Sequence, residues 1–389
     1  MIVLVVNSGS SSVKFAVYDT TTQTELARGS AVGIRDRAGG EARLAVPMTG
    51  EGPHRVIGYR GAVRWMIGAL ERAGVPRPEA IGHRVVHGGE RLTRPTRIDA
   101  TVEAEIAACG RLAPLHNAAN LLGIRACRAG FPDLDQVAVF DTGFHASLPP
   151  VAARYAIPEG LYRAHGARRY GFHGISHQWV TETVARRLGR SEFRLISCHL
   201  GAGASVAAVR DGRSVDTSMG MTPTEGLVMA TRPGDLDPAL VPFVMRVERL
   251  STRAAERWLN EACGLLALAG TTDMRAIEAA AAAGDPRARF AIELFCYRVR
   301  KYVGAYAAVL GGLDALAFTG GIGENSPAVR AEICRPLDWL GIRLDPARNE
   351  AVATADREIG SDISDVRVFV VPAREEWVIA RETARVLQA

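Results

Sequence analysis

Two stretches half a chain apart share one plan, and this repeat constrains the fold more than any other feature of the 389 residues. Residues 2–19 read as a strand, a turn of small residues from Asn7 through Gly9 to Ser12, a second strand and a polar turn. Residues 194–212 repeat that plan, with His199, Gly201, Gly203 and Ser205 around the turn. Gly9 matches Gly201 at an offset of 192, and Ser12-Val13 matches Ser205-Val206 at 193, one residue being inserted. Side chains this small fill little space, so each turn offers backbone N–H groups, which suits a phosphate. Two such hairpins predict two similar domains facing a cleft.

The intervening chain alternates helices with strands. Residues 58–74, 99–109, 176–188 and 287–310 read as helices, with Ser176 expected as an N-cap and Pro286 at a helix start. Residues 136–140 and 313–318 read as buried strands, the first ending at Asp141 and the second opening into a turn over 319–325. This alternation predicts an α/β class.

Composition removes several function classes. An apolar fraction of 48% with 23% charged residues belongs to a soluble globular protein. No apolar run approaches the roughly 18–20 residues of a membrane span, so no membrane partner is expected. The run 1–6 has no basic leader and reads as a first strand, not a signal peptide. Six scattered cysteines form no Cys-x-x-Cys pair, which predicts reduced thiols in the cytoplasm, without disulfides or a zinc site. The net charge of +5 comes without any run of five basic residues or an RNA-binding aromatic motif, so no nucleic-acid partner is expected.

The common phosphate sites are missing. Without a Gly-Lys pair there is no P-loop, and neither Gly201-Ala-Gly203 nor Gly321-Ile-Gly323 completes a dinucleotide fingerprint. His-Arg-Asp and Asp-Phe-Gly are also lacking, which excludes a protein kinase. Small-residue turns remain at 7–12, 141–143, 201–205 and 319–325, at strand ends where α/β sheets bind ligands. His173 and His177 stand four apart, as zinc ligands on a helix would, but Gly171 and Gly174 put the first on a loop and no third ligand follows.

The pattern resembles the actin, sugar-kinase and heat-shock-chaperone ATPase superfamily. Within it, Asn7-Ser-Gly-Ser-Ser-Ser-Val-Lys-Phe15, Gly82-His-Arg-Val-Val-His-Gly-Gly89 and Leu112-Ala-Pro-Leu-His-Asn117 are similar to the acetate kinase family. So are Phe140-Asp-Thr-Gly-Phe-His145, Tyr170-Gly-Phe-His-Gly-Ile-Ser-His177, the run 216–226, Thr231-Arg232 and Thr319-Gly-Gly-Ile-Gly-Glu-Asn325, in the family's order. The resemblance implies two ribonuclease-H-like, actin-like ATPase domains. The first would be 1–145 plus 376–389, and the second, for nucleotide binding and dimerisation, 146–375.

It also implies a reaction, Mg²⁺-dependent transfer of the ATP γ-phosphoryl group to acetate, giving ADP and acetyl phosphate. Acetate is ionised at pH 7 and needs no general base. What it needs is fixed positive charge and hydrogen-bond donors around the transferring group. By resemblance, Arg84 and Arg232 bracket acetate and that group, His173 donates to its equatorial oxygens, and Asn7 adds an amide. Asp141 and Glu375, with Asn7, would serve Mg²⁺, for which Mn²⁺ can substitute. Val86, Leu115, Phe172 and Pro223 would hold the acetate methyl group. Lys14, His116, His199, Gly201 and Gly203 would contact ATP phosphates, and Gly320, Gly321, Ile322, Gly323 and Asn325 the adenosine.

Three positions depart from the family pattern. Arg374 stands where Asn is usual, Ala202 replaces the Asn of a Gly-Asn-Gly turn, and Ala118-Ala119 replaces Pro-Pro. Propionate is the nearest alternative acceptor, with Val86 as the discriminating residue, and a non-catalytic ATP switch on the same fold is the alternative from another class. The family implies a homodimer, expected here through Phe295, Tyr302 and Tyr306 of the long helix.

Overall fold

The computed structural model describes residues 1–36, 38–46 and 53–389, the side chains of 114 and 115 excepted. The chain forms two compact units, Met1–Ala146 with Arg374–Ala389, and Ser147–Ala373.

Among its described residues the first unit holds strands β1 (Ile2–Ser8), β2 (Ser12–Asp19), β3 (Thr24–Val32), β4 (Gly40–Val46), β5 (His54–Val56), β6 (Ala80–Val85), β7 (Thr96–Arg97) and β8 (Asp135–Phe140). They lie in the order β5-β4-β3-β2-β1-β6-β8-β7. The β1 run Val3-Leu4-Val5-Val6 is wholly buried, as a central strand covered on both faces requires. Leu4 and Val6 join Phe15, Val63, Met66 and Phe131 in one core, closed by the helices Gly58–Arg72 and Pro114–Gly130. The C-terminal helix Glu375–Gln388 runs along β1, β6 and β8. Glycine at 82 is what lets it seat, because a Cβ there would collide with Thr383 and Ile379.

The second unit holds β9 (Arg194–Leu200), β10 (Ala204–Arg210), β11 (Arg213–Thr217), β12 (Ala315–Thr319), β13 (Arg357–Glu358) and β14 (Arg367–Val370), ordered β11-β10-β9-β12-β14-β13. This order reproduces β3-β2-β1-β6-β8-β7 strand for strand, antiparallel hairpin first, then two parallel neighbours, then a short antiparallel edge. The repeat seen in two short hairpins therefore extends over the whole six-strand core. The α/β class and the two similar domains are as expected.

Four local expectations are corrected. Ser176 does not cap its helix, which begins at Gly174 behind His173 in a left-handed conformation (φ 56°). The Ser176 hydroxyl goes to His199 instead. The segment 319–325 is not a turn, since Gly320–Asn325 is a short helix entered through left-handed Gly320. Residues 313–314 are not strand, because Gly311 and Gly312, both at positive φ, carry the chain out of the helix Pro286–Leu310 and β12 starts at Ala315. Finally, Phe295 and Tyr306 are buried and Tyr302 donates to Asp235 Oδ2 at 2.8 Å, so none offers a free apolar face. The exposed rings on that helix are Phe290 and Tyr297. Among the described residues no helix is long and apolar enough to cross a membrane.

Candidate active site

In the first unit the parallel strands bring three of the candidate residues to one sheet end. Asn7 lies beside Arg84 in the β1–β6 register, and Asp141 follows directly on β8, the neighbour of β6. Arg84 grips Asp141 as a fork, with Nε donating at 3.0 and 3.2 Å to the two carboxylate oxygens and a terminal nitrogen donating at 2.5 Å. Asp141 is buried and Arg84 half-buried. Burial opposes the Arg84 charge, but Asp141 and Glu375 outweigh it and hold the guanidinium above its ordinary range.

Glu375 opens the C-terminal helix within electrostatic reach of this pair. Its carboxyl is held well above the usual range, chiefly by burial, with Asp141 and Glu376 adding to this and Arg84 and Lys14 opposing it. Among the described residues its Oε1 is buried without a hydrogen-bond partner. An orphaned buried carboxylate oxygen near a second carboxylate is what a hard divalent cation satisfies, so Asp141 and Glu375 fit Mg²⁺. No group of three or more His, Cys, Asp or Glu side chains clusters as a metal set among the described residues. Two carboxylates with water and substrate oxygens are an ordinary Mg²⁺ shell.

Side chains not anticipated from sequence hold these strand ends in place. Asn120 accepts from the Val86 amide at 3.0 Å and donates to the Ser8 carbonyl at 2.9 Å, tying the β1 turn to the end of β6. Asn117 accepts from the His87 amide at 3.1 Å and returns a bond to its carbonyl at 2.9 Å. Tyr59 donates to the Gly9 carbonyl at 2.6 Å. The only sequence signal was two asparagines one helical turn apart. Lys14 is exposed opposite Asn7, while Val86 and His116 are half-buried. Leu115 lies outside the described side chains.

In the second unit, β9 and β10 are joined by the Gly201–Gly203 turn, closed by the Gly201 amide donating to the Gly203 carbonyl at 3.0 Å. His199, next to last in β9, stacks on His173, with ring centres 4.2 Å apart. The Ser176 hydroxyl lies 2.8 Å from His199 Nδ1, and the Ser205 hydroxyl 2.9 Å from His173 Nδ1. Arg232 donates to the Pro223 carbonyl at 2.5 Å, and no carboxylate pairs with it among the described residues. Burial alone pulls its guanidinium down to about 10. A Cβ on Gly203 would stand 3.0 Å from His173 Nε2 and 3.2 Å from an Arg232 terminal nitrogen. A nitrogen from each side chain therefore converges on one small space that only glycine leaves open.

Gly320–Asn325 lies against this turn, since a Cβ on Gly201 would come 3.7 Å from the Gly321 amide. Above Gly321 there is open space. Glu324, not singled out from sequence, folds back to accept from the Gly320 amide at 2.9 Å and the Ala373 amide at 3.0 Å. Asn325 donates to the Gly321 carbonyl at 2.9 Å rather than reaching outward. Ile322 is half-buried, Gly323 is buried and Phe172 is 1% exposed.

Comparison with known proteins places the chain in a family. Residues 2–381 match the model of the acetokinase family. The chain belongs to that family. It is 48% identical over 397 residues to the acetate kinase of Leifsonia xyli, covering 100% of this chain and 99% of that one. It is 43% identical to the acetate kinase of Methanosarcina thermophila, covering 100% and 97%. Among solved structures, the propionate kinase of Francisella tularensis is 40% identical with a TM-score of 0.94, and the acetate kinase of Porphyromonas gingivalis 38% identical with a TM-score of 0.92. Each covers 99% of both chains. Acetokinase-family architecture, two actin-like ATPase domains in one chain, thus spans the whole molecule.

Proposed function

We propose that this acetokinase-family chain transfers the γ-phosphoryl group of ATP to acetate, reversibly and in line, giving acetyl phosphate and ADP. The observation that carries the reading is the convergence of His173 Nε2 and the carboxylate-free Arg232 guanidinium over Gly203. A half-buried cation with no counter-ion of its own gains most from an anionic ligand, and a planar fork fits phosphate or carboxylate. No residue needs to remove a proton from ionised acetate, and Arg84 occupies both oxygens of Asp141. Asp141 acts through charge and position, not as a base.

The remaining roles follow the same chemistry. Arg84 orients the acetate carboxylate, and Val86, Leu115, Phe172 and Pro223 take its methyl group. Lys14, His116 and His199 hold phosphate charge beside the Gly201 and Gly203 backbone. Gly320, Gly321, Ile322, Gly323 and Asn325 form the adenosine platform. Asn7, Asp141 and Glu375 would hold Mg²⁺ or Mn²⁺, which when bound neutralises phosphate charge. We assign the nucleotide and the dimer contact to the second unit and a cytoplasmic location to the whole. The dimer surface is the helix Leu240–Val247, which has no buried residue and exposes Leu240, Phe243 and Val247.

Propionate is a second acceptor. The Francisella tularensis structure favours it, and one methylene changes selectivity by only about 1–3 kcal/mol. The test is hydroxylamine trapping. With ATP, Mg²⁺ and acetate the protein is expected to yield acetyl hydroxamate, with a slower propionyl product. ATP turnover without hydroxamate from either acid would overturn the assignment.

A further inference from the structure

The Ser205 hydroxyl is shared by two imidazoles. It lies 2.9 Å from His173 Nδ1 and 2.9 Å from His177 Nε2. On the far side, His177 Nδ1 lies 2.8 Å from the Ser197 hydroxyl. Ser197, His177 and Ser205 are all wholly buried, on β9, the helix Gly174–Leu188 and β10. These contacts form one chain, Ser197–His177–Ser205–His173, ending at the ring whose Nε2 faces the space over Gly203.

We propose that this chain has one direction, and that Ser197, His177 and Ser205 are positioning residues that hold His173 as its neutral Nε2–H form. Each hydroxyl has a single proton, so the chain can run two ways. In one, Ser197 donates to His177 Nδ1, His177 Nε2–H donates to Ser205, and Ser205 donates to His173 Nδ1. Every buried proton then has an acceptor, and His173 carries its remaining proton on Nε2. In the other, His173 Nδ1–H donates to Ser205, Ser205 to His177 Nε2, and His177 Nδ1–H to Ser197. The Ser197 proton is then stranded, because Ser197 has no second hydrogen-bond partner among the described residues. A buried donor without an acceptor is disfavoured strongly enough to select the first direction. A charged His177 fails in the same way, since both its nitrogens would donate and the Ser197 proton would again be stranded.

The direction matters at the Gly203 space. An Nε2–H there donates to an anionic oxygen, whereas the opposite tautomer would present a lone pair to it. The left-handed backbone at His173 and the stacking on His199 fix the ring plane, and the relay fixes which nitrogen bears the proton. This inference builds on the role proposed above for His173, but its test does not depend on turnover.

Nitrogen-15 NMR of the intact labelled protein reads the tautomer directly, with His173 and His177 assigned by the signals lost in His173→Asn and His177→Asn. Both rings are expected as neutral Nε2–H forms at pH 7 and 8. Ser205→Ala removes the shared link without adding volume. It is expected to mix the two His173 tautomers and lower kcat about 10-fold, with KM for acetate and ATP within about 2-fold. Ser205→Thr keeps a hydroxyl and is expected to restore both the single tautomer and the rate. Ser197→Ala, the second variant, is expected to release the His177 tautomer. An Nδ1–H or doubly protonated His173 in the native protein would overturn the relay. So would a Ser205→Ala protein whose His173 signals and kcat are unchanged. A native Nε2–H ring in a protein that makes no acyl phosphate would instead sink the functional reading and leave the relay standing.

Discussion

Two arginines serve the same proposed chemistry from opposite electrostatic starting points. Arg84 is locked to buried Asp141 by three hydrogen bonds, while Arg232 meets only a backbone carbonyl. Changing either to Ala is expected to lower kcat by about 10²–10³-fold in the hydroxamate assay. The stabilities should diverge. Arg84→Ala strands a buried carboxylate and is expected to cost about 3 kcal/mol in urea unfolding. Arg232→Ala removes a cation that burial already disfavours, and is expected to leave the unfolding midpoint unchanged or raised. Equal destabilisation would mean that Arg232 has a carboxylate partner in solution. Near-native turnover would remove either arginine from the site.

At the scale of elements, strand β6 links the core to the site. Its Gly82 gives the C-terminal helix room, and that helix begins at Glu375. Gly82→Ala is expected to push the helix off the sheet, at a cost of about 1–3 kcal/mol. It should also raise the Mg²⁺ concentration needed for half-maximal rate, because Glu375 moves with the helix. The next residue, His83, is buried, and its ring is brought down to about 4 by that burial, with the Arg128 charge adding to it. Gln136 turns its amide nitrogen to His83 Nε2 at 2.7 Å, which suits the neutral ring. The unfolded chain takes up this proton near pH 6.5, while the folded one waits until about pH 4. This contribution is therefore fully present above pH 6.5 and is lost as the pH falls towards 4, about 3 kcal/mol in all. Urea midpoints at pH 7.5 and 5 check it, and His83→Gln is expected to flatten the difference between them.

For the molecule as a whole, the exposed apolar surface bears on assembly. The helix Leu240–Val247 is apolar but for Arg246, yet buries none of its residues in the single chain, with Phe243 49% and Val247 56% exposed. Exposed apolar surface of this kind is what the proposed dimer contact would cover. Phe243→Glu with Val247→Glu is expected to convert a dimer into a 41.6 kDa monomer in sedimentation while leaving circular dichroism unchanged. A native protein that sediments as a monomer at micromolar concentration would refute the assignment.

Much of this architecture is legible in the sequence because it rests on short-range rules. The apolar run 1–6 reads as a first strand, and the small residues at 7–12 and 201–205 read as turns that expose backbone. Pro286 begins the long helix as its missing N–H predicts, and the structure adds Asp285 as the cap, accepting from the Arg287 amide. The motifs from Asn7 to Asn325 were enough to indicate the acetokinase family. Tertiary structure decided what depends on which distant segments become neighbours. Arg84 meets Asp141 only because β6 and β8 are adjacent and parallel. Glu375 joins Arg84 and Asp141 because the final helix returns to the first unit. Ser176, a plausible cap by position, was drawn to His199, and Phe295 and Tyr306, apolar enough for an interface, were absorbed into the core. Helical period and capping act over a few residues, whereas a buried charge or hydroxyl must find its partner wherever strand order puts one.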